Sequence, residues 1–307
     1  MIKIYQKNIK NKGFYYLTEQ IYVGDKYKKI QVYLGKNIPK NIAPFYKKLQ
    51  EKEVELILEK LKDIFTLPEQ AKWEQIAKVE KARLEQKYFF VQLSPAKLEK
   101  FWRRFAIEFI FQSNAIEGSK LSREEVEKII NKKYLKKSLD RKEVIEVQNS
   151  LRAFQFVRSD NFKLNQKNIK KLHQIITANL GVEQGYKKQK IIVNNKETVS
   201  PKLVKRNLQE LIVDYKKNNK QRHKFFSALD FHSRFEFIHP FADGNGRTGR
   251  MLLIYMLQKS GYGVILFKLK NRIKYFNSLN YADEGRKKKW YWFAVNTYKQ
   301  TNNFLRN

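Results

Sequence analysis

Cysteine is absent from the 307-residue chain. That one absence removes disulfide frameworks, thiol nucleophiles, iron–sulfur clusters and cysteine zinc sites. Acidic residues are scarce beside basic ones, 30 against 64, which leaves a formal net charge of +34. Long apolar runs are missing too. The opening MIKIYQKNIK has no signal-peptide core, and no stretch approaches the ~18 apolar residues of a membrane span. The expectation is a cytoplasmic protein with no membrane partner. Internal repeats and low-complexity tracts are likewise absent. Hydrophobic residues nevertheless make up 42% and aromatics 14%. That is too apolar for a disordered polycation, so the chain is expected to fold, in roughly two domains.

A charge of +34 invites a nucleic-acid reading, because clustered cations gather phosphate by releasing counterions. Only 15 of the 64 basic residues are Arg, while Ile, Asn, Tyr and Phe are abundant. This bias resembles that of an AT-rich coding background. The lysines are spread along the whole chain with no recognition motif, so nucleic acid is the less favoured partner.

Residues 1–42 read as a small β module. FYYLTEQIYV and KKIQVYLGK are rich in aromatic and β-branched residues, with turns at Gly24-Asp25 and Gly35-Lys36. Three short strands need a packing partner. Residues 43–93 read as a helical hairpin: one helix is stopped at Leu67-Pro68, and a second runs from about Pro68 to Phe90. Residues 94–307 read as mostly helical, with Ser94 and Ser122 as N-caps. Helices are expected at about 140–158, 165–179, 201–217, 224–237, 247–259 and 287–303. KIIVNNKETV (190–199) interrupts them as a hairpin turning at Asn194-Asn195.

The segment FEFIHPFADGNGRTGRMLLIYML (235–257) carries the chemistry. An apolar helix ends near Ile238, a loop holds His239, Asp243 and Gly244-Asn245-Gly246, and a second helix begins near Arg247. Glycines let the backbone approach a ligand, and the N–H groups of a new helix point at an anion. Arg247 and Arg250, three apart, share one face of the first turn. Cations there oppose the helix dipole, so a bound anion explains them better than helix stability does. Asp243 beside phosphate implies a bridging divalent cation, Mg²⁺ or Mn²⁺. His239 is the side chain placed to take a proton near neutral pH. The four histidines, His173, His223, His232 and His239, show no zinc spacing. Together these groups specify transfer of a phosphorus group.

HPFADGNGRTGR (239–250) resembles the Fic-family signature, His-x-Phe-x-(Asp/Glu)-Gly-Asn-Gly-Arg-x-x-Arg, at every specified position. The resemblance implies a mainly α fold, a Fic helical core with a β-hairpin flap, behind a helical hairpin and an N-terminal β-meander. It implies transfer of AMP from ATP to a Tyr, Thr or Ser hydroxyl of a target protein, or of the enzyme itself, with release of pyrophosphate. His239 would be the general base and Asp243 the Mg²⁺ ligand. Gly244, Asn245 and Gly246 would form the phosphate cradle. Arg247 and Arg250 would hold the ATP phosphates, with Thr248 and Gly249 in the same run. GYKKQKIIVNN (185–195) resembles the flap, where Ile191, Ile192, Val193 and Asn194 would dock the target chain by strand addition. Lys187 stands where the family usually has Arg. RIKYFNSLNYADEG (272–285) resembles the adenine-side element, with Tyr275 as the aromatic and Asp283 where Asn is common.

SNAIEGSKLSREEVEKII (113–130) reads by itself as a helix interrupted at Gly118, then one capped by Ser122. Beside the Fic motif, Ser113-x-x-x-Glu117-Gly118 resembles the family's inhibitory helix, here within 110–118. The resemblance implies that Glu117 pairs with Arg250, so that ATP binds with its α-phosphate out of line. The favoured function is an auto-inhibited protein adenylyltransferase, with reverse removal of AMP open. Two alternatives are a Fic-type phosphotransferase, which Gly246 disfavours, and a nucleic-acid-associated regulator with a secondary Fic site. A homo-oligomer is also open.

Overall fold

The computed structural model describes residues 2–23, 26–133, 139–193, 196–218 and 222–306. The Gly24-Asp25 turn and the Asn194-Asn195 turn lie outside them. The chain opens as an antiparallel meander of β1 (Lys3–Ile9), β2 (Lys12–Val23) and β3 (Lys26–Gly35). Lys10 and Asn11, both at positive φ, close the first hairpin. Leu17, Val32 and Leu34 of one sheet face pack on Leu49 and Tyr88. Leu49 belongs to α1 (Ala43–Glu59) and Tyr88 to α3 (Trp73–Val91), with the short α2 (Leu61–Ile64) between them. Glu53 ties the layers, accepting from Lys87 Nζ at 2.8 Å and from Tyr88 Oη at 2.8 Å.

α3 begins five residues later than the sequence pattern suggests. Gln70 takes a positive φ just after Pro68, and the helix starts only where Lys72 N–H finds Gln75 Oε1 at 2.8 Å, one arm of a capping box. The hairpin packs into the main core, since α3 also contacts α12 (Lys287–Arg306). Its buried Glu80 accepts from Arg83 and Tyr262 and lies 3.2 Å from His223 Nε2. Burial disfavours that charge, but these partners hold the carboxyl down at about 2.

The remaining helices are α4 (Pro95–Ile116), α5 (Arg123–Ile130), α6 (Arg141–Arg158), α7 (Gln166–Ile176), α8 (Pro201–Asn218), α9 (Lys224–Ile238), α10 (Asn245–Lys259) and α11 (Arg272–Asp283). Ser94 and Ser122 cap α4 and α5 as expected, whereas α11 was not legible as a helix from the pattern. A two-residue ladder, β4 (Ile192–Val193) with β5 (Lys196–Glu197), forms the hairpin before α8. α10 is the axis of the bundle. Met251 through Ile254 and Met256-Leu257 are all buried, because α9, α6, α7 and α4 surround it. Gly249 permits the closest of these approaches, since a Cβ there would stand 3.1 Å from the Phe235 ring. Among the described residues, no helix is long and apolar enough to cross a membrane.

The sheet–α1 contact forms an apolar cluster of its own, apart from the main core. Leu49→Ala is therefore expected to destabilise the meander by about 2–5 kcal/mol. Hydrogen exchange should speed up in β2 and β3 while α9 and α10 keep their protection. Equal loss across the molecule would contradict this separation.

Candidate active site

The site is built where α9 stops and α10 starts. His239 leaves the helix in a left-handed conformation (φ 48°, ψ 63°), and Pro240 follows. The Asn245 carboxamide then closes the loop, accepting from Phe241 N–H at 2.9 Å and donating to its carbonyl at 2.8 Å. His173 from α7 stacks on the Phe241 ring at 3.8 Å and donates through Nε2 to the Asp243 carbonyl at 2.9 Å. Gly244 takes φ 76° against Thr177, whose Cγ2 would be 3.0 Å from an added Cβ. Intrahelical bonding in α10 begins at Thr248 N–H, so the amides of Asn245, Gly246 and Arg247 have no intrahelical partner. These three donors and the positive helix end make an anion nest.

Two arginines flank the nest. Arg247, 4% exposed, is held by Glu146 of α6 at 3.1 Å and lies 3.4 Å from Asp243. Arg250, 2% exposed, is engaged on two sides of its guanidinium. Its Nε donates to Ser113 Oγ at 2.9 Å, and Nη2 donates to the Ser113 carbonyl at 2.9 Å and to Glu117 Oε1 at 2.7 Å. Burial works against this charge, but Glu117 and Glu236 keep the guanidinium's proton affinity above its ordinary value. Gly246 makes room for the carboxylate, since a Cβ there would stand 2.2 Å from Glu117 Oε1.

A cavity of about 280 Å³ opens beside these groups, lined by Glu117, Val193, Glu236, His239, Gly246 and Asp283 among others. That is at the small end of ligand sites, roughly 300–1,000 Å³. A larger cleft of about 540 Å³ between α3, α4 and α5 holds none of the motif residues. His239 Nδ1 is 3.3 Å from the Glu236 carbonyl, which can only accept, so Nδ1 carries the hydrogen and Nε2 keeps its lone pair. Burial, reinforced by the Lys187 ammonium, pushes the His239 imidazole down to about 4. The ring is thus a neutral acceptor at pH 7.

The site gathers His239, Gly246, Glu117, Val193 and Asp283 at one cavity, with Arg250 and Ser113 directly behind Glu117. Other expected contacts are placed elsewhere. Tyr275 is buried, 1% exposed, and its hydroxyl lies 2.7 Å from His232 Nε2, so the wall of α11 facing the cavity is Phe276, Leu279, Asn280 and Asp283. Thr248 Oγ1 donates to the Gly244 carbonyl inside the helix, and Gly249 faces Glu236, so neither lines the cavity. The Asn245 side chain is committed to the loop, which leaves only its amide for a ligand. In the hairpin, the Ile191 carbonyl accepts from Thr198, and Ile192 is exposed. Asn194 lies outside the described residues. Lys187 anchors the hairpin base, donating to Thr198 Oγ1 and to the Ile238 carbonyl, and burial lowers its ammonium to about 8.

Asp243 keeps an exposed carboxylate, with Oδ1 accepting from Gly244 N–H. Among the described residues no cluster of three or more potential metal ligands exists. One carboxylate at a phosphate nest nonetheless suits Mg²⁺, which takes its remaining ligands from phosphate oxygens and water.

The Fic/DOC family model matches residues 163–257, the stretch from α7 through most of α10. The chain belongs to the Fic/DOC family. A probable protein adenylyltransferase of Aquifex aeolicus, aq_aa38, is 36% identical over 115 residues, 37% of this chain and 35% of that one. Protein adenylyltransferase fic-1 of Caenorhabditis elegans is 26% identical over 197 residues, 61% of this chain and 39% of that one. The chain thus spans between a third and a half of the length of the curated relatives it matches. Two solved structures share the fold at 18% identity and TM-score 0.68. A Fic-domain signaling protein of Bacteroides thetaiotaomicron covers 74% of this chain and 95% of its own, and Fic-1 of C. elegans covers 86% and 83%.

Sequence reading of the Fic domain missed Glu146, His173 and Glu236. Glu236 precedes His239 by one turn, and its buried Oε1 has no hydrogen-bond partner. Burial, with Glu117 and Asp283 nearby and despite Arg250, pushes its carboxyl up to about 8, so it carries a proton at neutral pH. Burial likewise raises Asp283 to about 7. His173, His232 and His239 are all held low by burial, near 4, 3 and 4. Each folded value lies below the unfolded value near 6.5, so their contribution to stability is complete above that pH. It is lost as pH falls from about 6.5 toward 4. An NMR titration of the histidine ring protons should show these three midpoints below about 5. Midpoints near 6.5 would contradict the buried, neutral assignment.

Proposed function

We propose that this Fic domain transfers AMP from ATP to a protein hydroxyl, and that Glu117 restrains it. The observation that carries this reading is the ion pair of Glu117 with Arg250, seated on the anion nest beside a neutral His239. The anion nest suits the polyphosphate of ATP, with Arg247 and Arg250 as its cationic clamps. Nε2 of His239 takes the proton from the incoming hydroxyl while the hydroxyl oxygen forms a bond to the α-phosphorus. The α–β phosphoanhydride bond breaks, and pyrophosphate leaves toward the arginines. Mg²⁺ held by Asp243 would neutralise charge on the departing pyrophosphate. Glu146 orients Arg247 throughout, and the exposed Ile192 edge of the hairpin offers a strand to the target chain.

Restraint follows from competition. Arg250 has one open fork, and while Glu117 fills it a triphosphate cannot make its full set of charged contacts. The nucleotide then settles with its α-phosphorus out of line with the attacking oxygen. The protein targets suggested by the relatives' names belong to the same reading, as does ATP as co-substrate. Asp283 on the α11 wall is placed to contact the base.

With α-labelled ATP and Mg²⁺, Glu117→Gly is expected to raise self-labelling at least tenfold over wild type. His239→Ala in that background should abolish it. No gain from Glu117→Gly would remove the restraint, and label transferred from γ-labelled ATP instead would replace AMP transfer with phosphotransfer. In the Glu117→Gly background the labelling rate should be flat from about pH 6 to 8 and fall only below about pH 5, as His239 is protonated. Glu146→Ala should raise KM for ATP by about tenfold with a smaller effect on kcat, because it loosens a phosphate clamp without touching the base.

A further inference from the structure

The face of the β-meander turned away from α1 is unassigned by anything above. Register places Lys3, Tyr5 and Lys7 of β1 on it, opposite Thr18, Tyr16 and Phe14 of β2. Tyr16 in turn pairs with Tyr33 of β3, so Tyr5, Tyr16 and Tyr33 form one row straight across the three strands. Tyr16 and Tyr33 ring centroids are 5.3 Å apart, and Phe14 extends the row at 6.3 Å from Tyr33. A second aromatic pair, Tyr22 with Tyr27, sits at the far end of the β2–β3 hairpin with centroids 4.4 Å apart. It lies six residues along β2 from Tyr16, about 20 Å. These rings face water: Tyr5 is 44%, Tyr33 47%, Tyr22 53% and Tyr27 68% exposed.

Five aromatic side chains gain nothing for folding by standing on the solvent side of a sheet, whose buried side is Leu17, Val32 and Leu34. The charge on the module is one-sided as well. Residues 1–40 carry nine lysines and two acids. Glu19 points the other way, toward Lys87, and Asp25 lies outside the described residues. Among the described residues the outer face carries no carboxylate, while Lys29 Nζ sits 4.1 Å from the Tyr5 ring centroid. Rings standing up from a flat sheet among lysines suit unpaired bases stacking on the rings with phosphates along the cations. A duplex offers such a surface no unstacked base. Between the two aromatic groups the same face exposes Gln20 and Gln31, whose amides both donate and accept, as the ribose 2′-hydroxyl does.

We propose that the outer face of the β-meander binds single-stranded RNA, with the Tyr5–Tyr16–Tyr33 row as the stacking platform and Lys3, Lys7 and Lys29 on the phosphates. This surface lies on the N-terminal module and does not depend on the reaction proposed for the Fic domain.

The test uses the full chain and fluorescein-labelled oligouridylate of about 15 nucleotides, followed by anisotropy at about 0.15 M salt. Oligothymidylate and an RNA duplex of the same length run in parallel. Oligouridylate should bind most tightly, and Tyr5→Ser with Tyr33→Ser should weaken it at least tenfold. Tyr5→Phe with Tyr33→Phe keeps the rings and should stay within about twofold of wild type. Because these side chains are exposed, both double variants should melt at the wild-type temperature. Lys3→Gln with Lys29→Gln should make the log–log salt dependence shallower by about one. Unchanged affinity in the serine variant overturns the stacking platform and leaves non-specific attraction to a polycation. Loss of affinity in the phenylalanine variant also overturns it. Equal binding of oligothymidylate or of the duplex overturns the choice of single-stranded RNA, and no binding of any oligonucleotide overturns the proposal entirely.

Discussion

A guanidinium buried at the centre of a helical bundle dictates what surrounds it. Arg250 is 2% exposed and permanently charged, so the helices packed on α10 must supply its acceptors. The C-terminal turn of α4 supplies three oxygens, from Ser113 and Glu117. Tyr275 of α11 places its ring 6.0 Å away, and Glu236 of α9 adds a nearby carboxyl. Three helices distant in sequence are thereby fixed around the first turn of α10, where the free amides of the anion nest lie. Fold stability and site geometry are set by the same side chain.

The loop before that turn is held with similar economy. His239 takes a left-handed backbone, Asn245 ties Phe241 at both ends, and His173 supports the Asp243 carbonyl from beneath. Every one of these contacts uses a group that would otherwise be an unsatisfied polar atom in a dry interior. The result is a rigid arc in which the His239 lone pair and the nest amides face one cavity. Lys187 extends the arc to the hairpin, so the edge at Ile192 is positioned relative to the imidazole by hydrogen bonds rather than by loop length alone.

What the sequence made legible is what lies close together along it. The motif from His239 to Arg250 is contiguous, so its glycines, base and cations could be read as one unit. The pairing of Glu117 with Arg250 was accessible only through resemblance, and the geometry has them 2.7 Å apart. Glu146, His173 and Glu236 were illegible because nothing local distinguishes them from surface or core residues. Their significance comes from α6, α7 and α9 converging on α10. Tyr275 shows the opposite failure. An aromatic at a familiar position lies in the core against His232, because the neighbouring Phe276 takes the cavity wall. The β-meander was legible as strands, but which side would be covered depended on Leu49 of α1, and periodicity alone left both faces rich in aromatics.

Gly246 brings the carboxylate of Glu117 into contact with the nest, and the carboxylate belongs to the same polypeptide as the arginine it pairs with. It therefore behaves as a tethered counter-anion at high effective concentration, in the millimolar range or above for short connections. Any soluble anion competing for that fork is diluted by comparison, and doubling its concentration hardly alters occupancy. A movement at the end of α4 as small as one side-chain rotation does what a large change in solute concentration cannot. The molecule's response is thus set by the position of a helix end and only weakly by the abundance of a ligand.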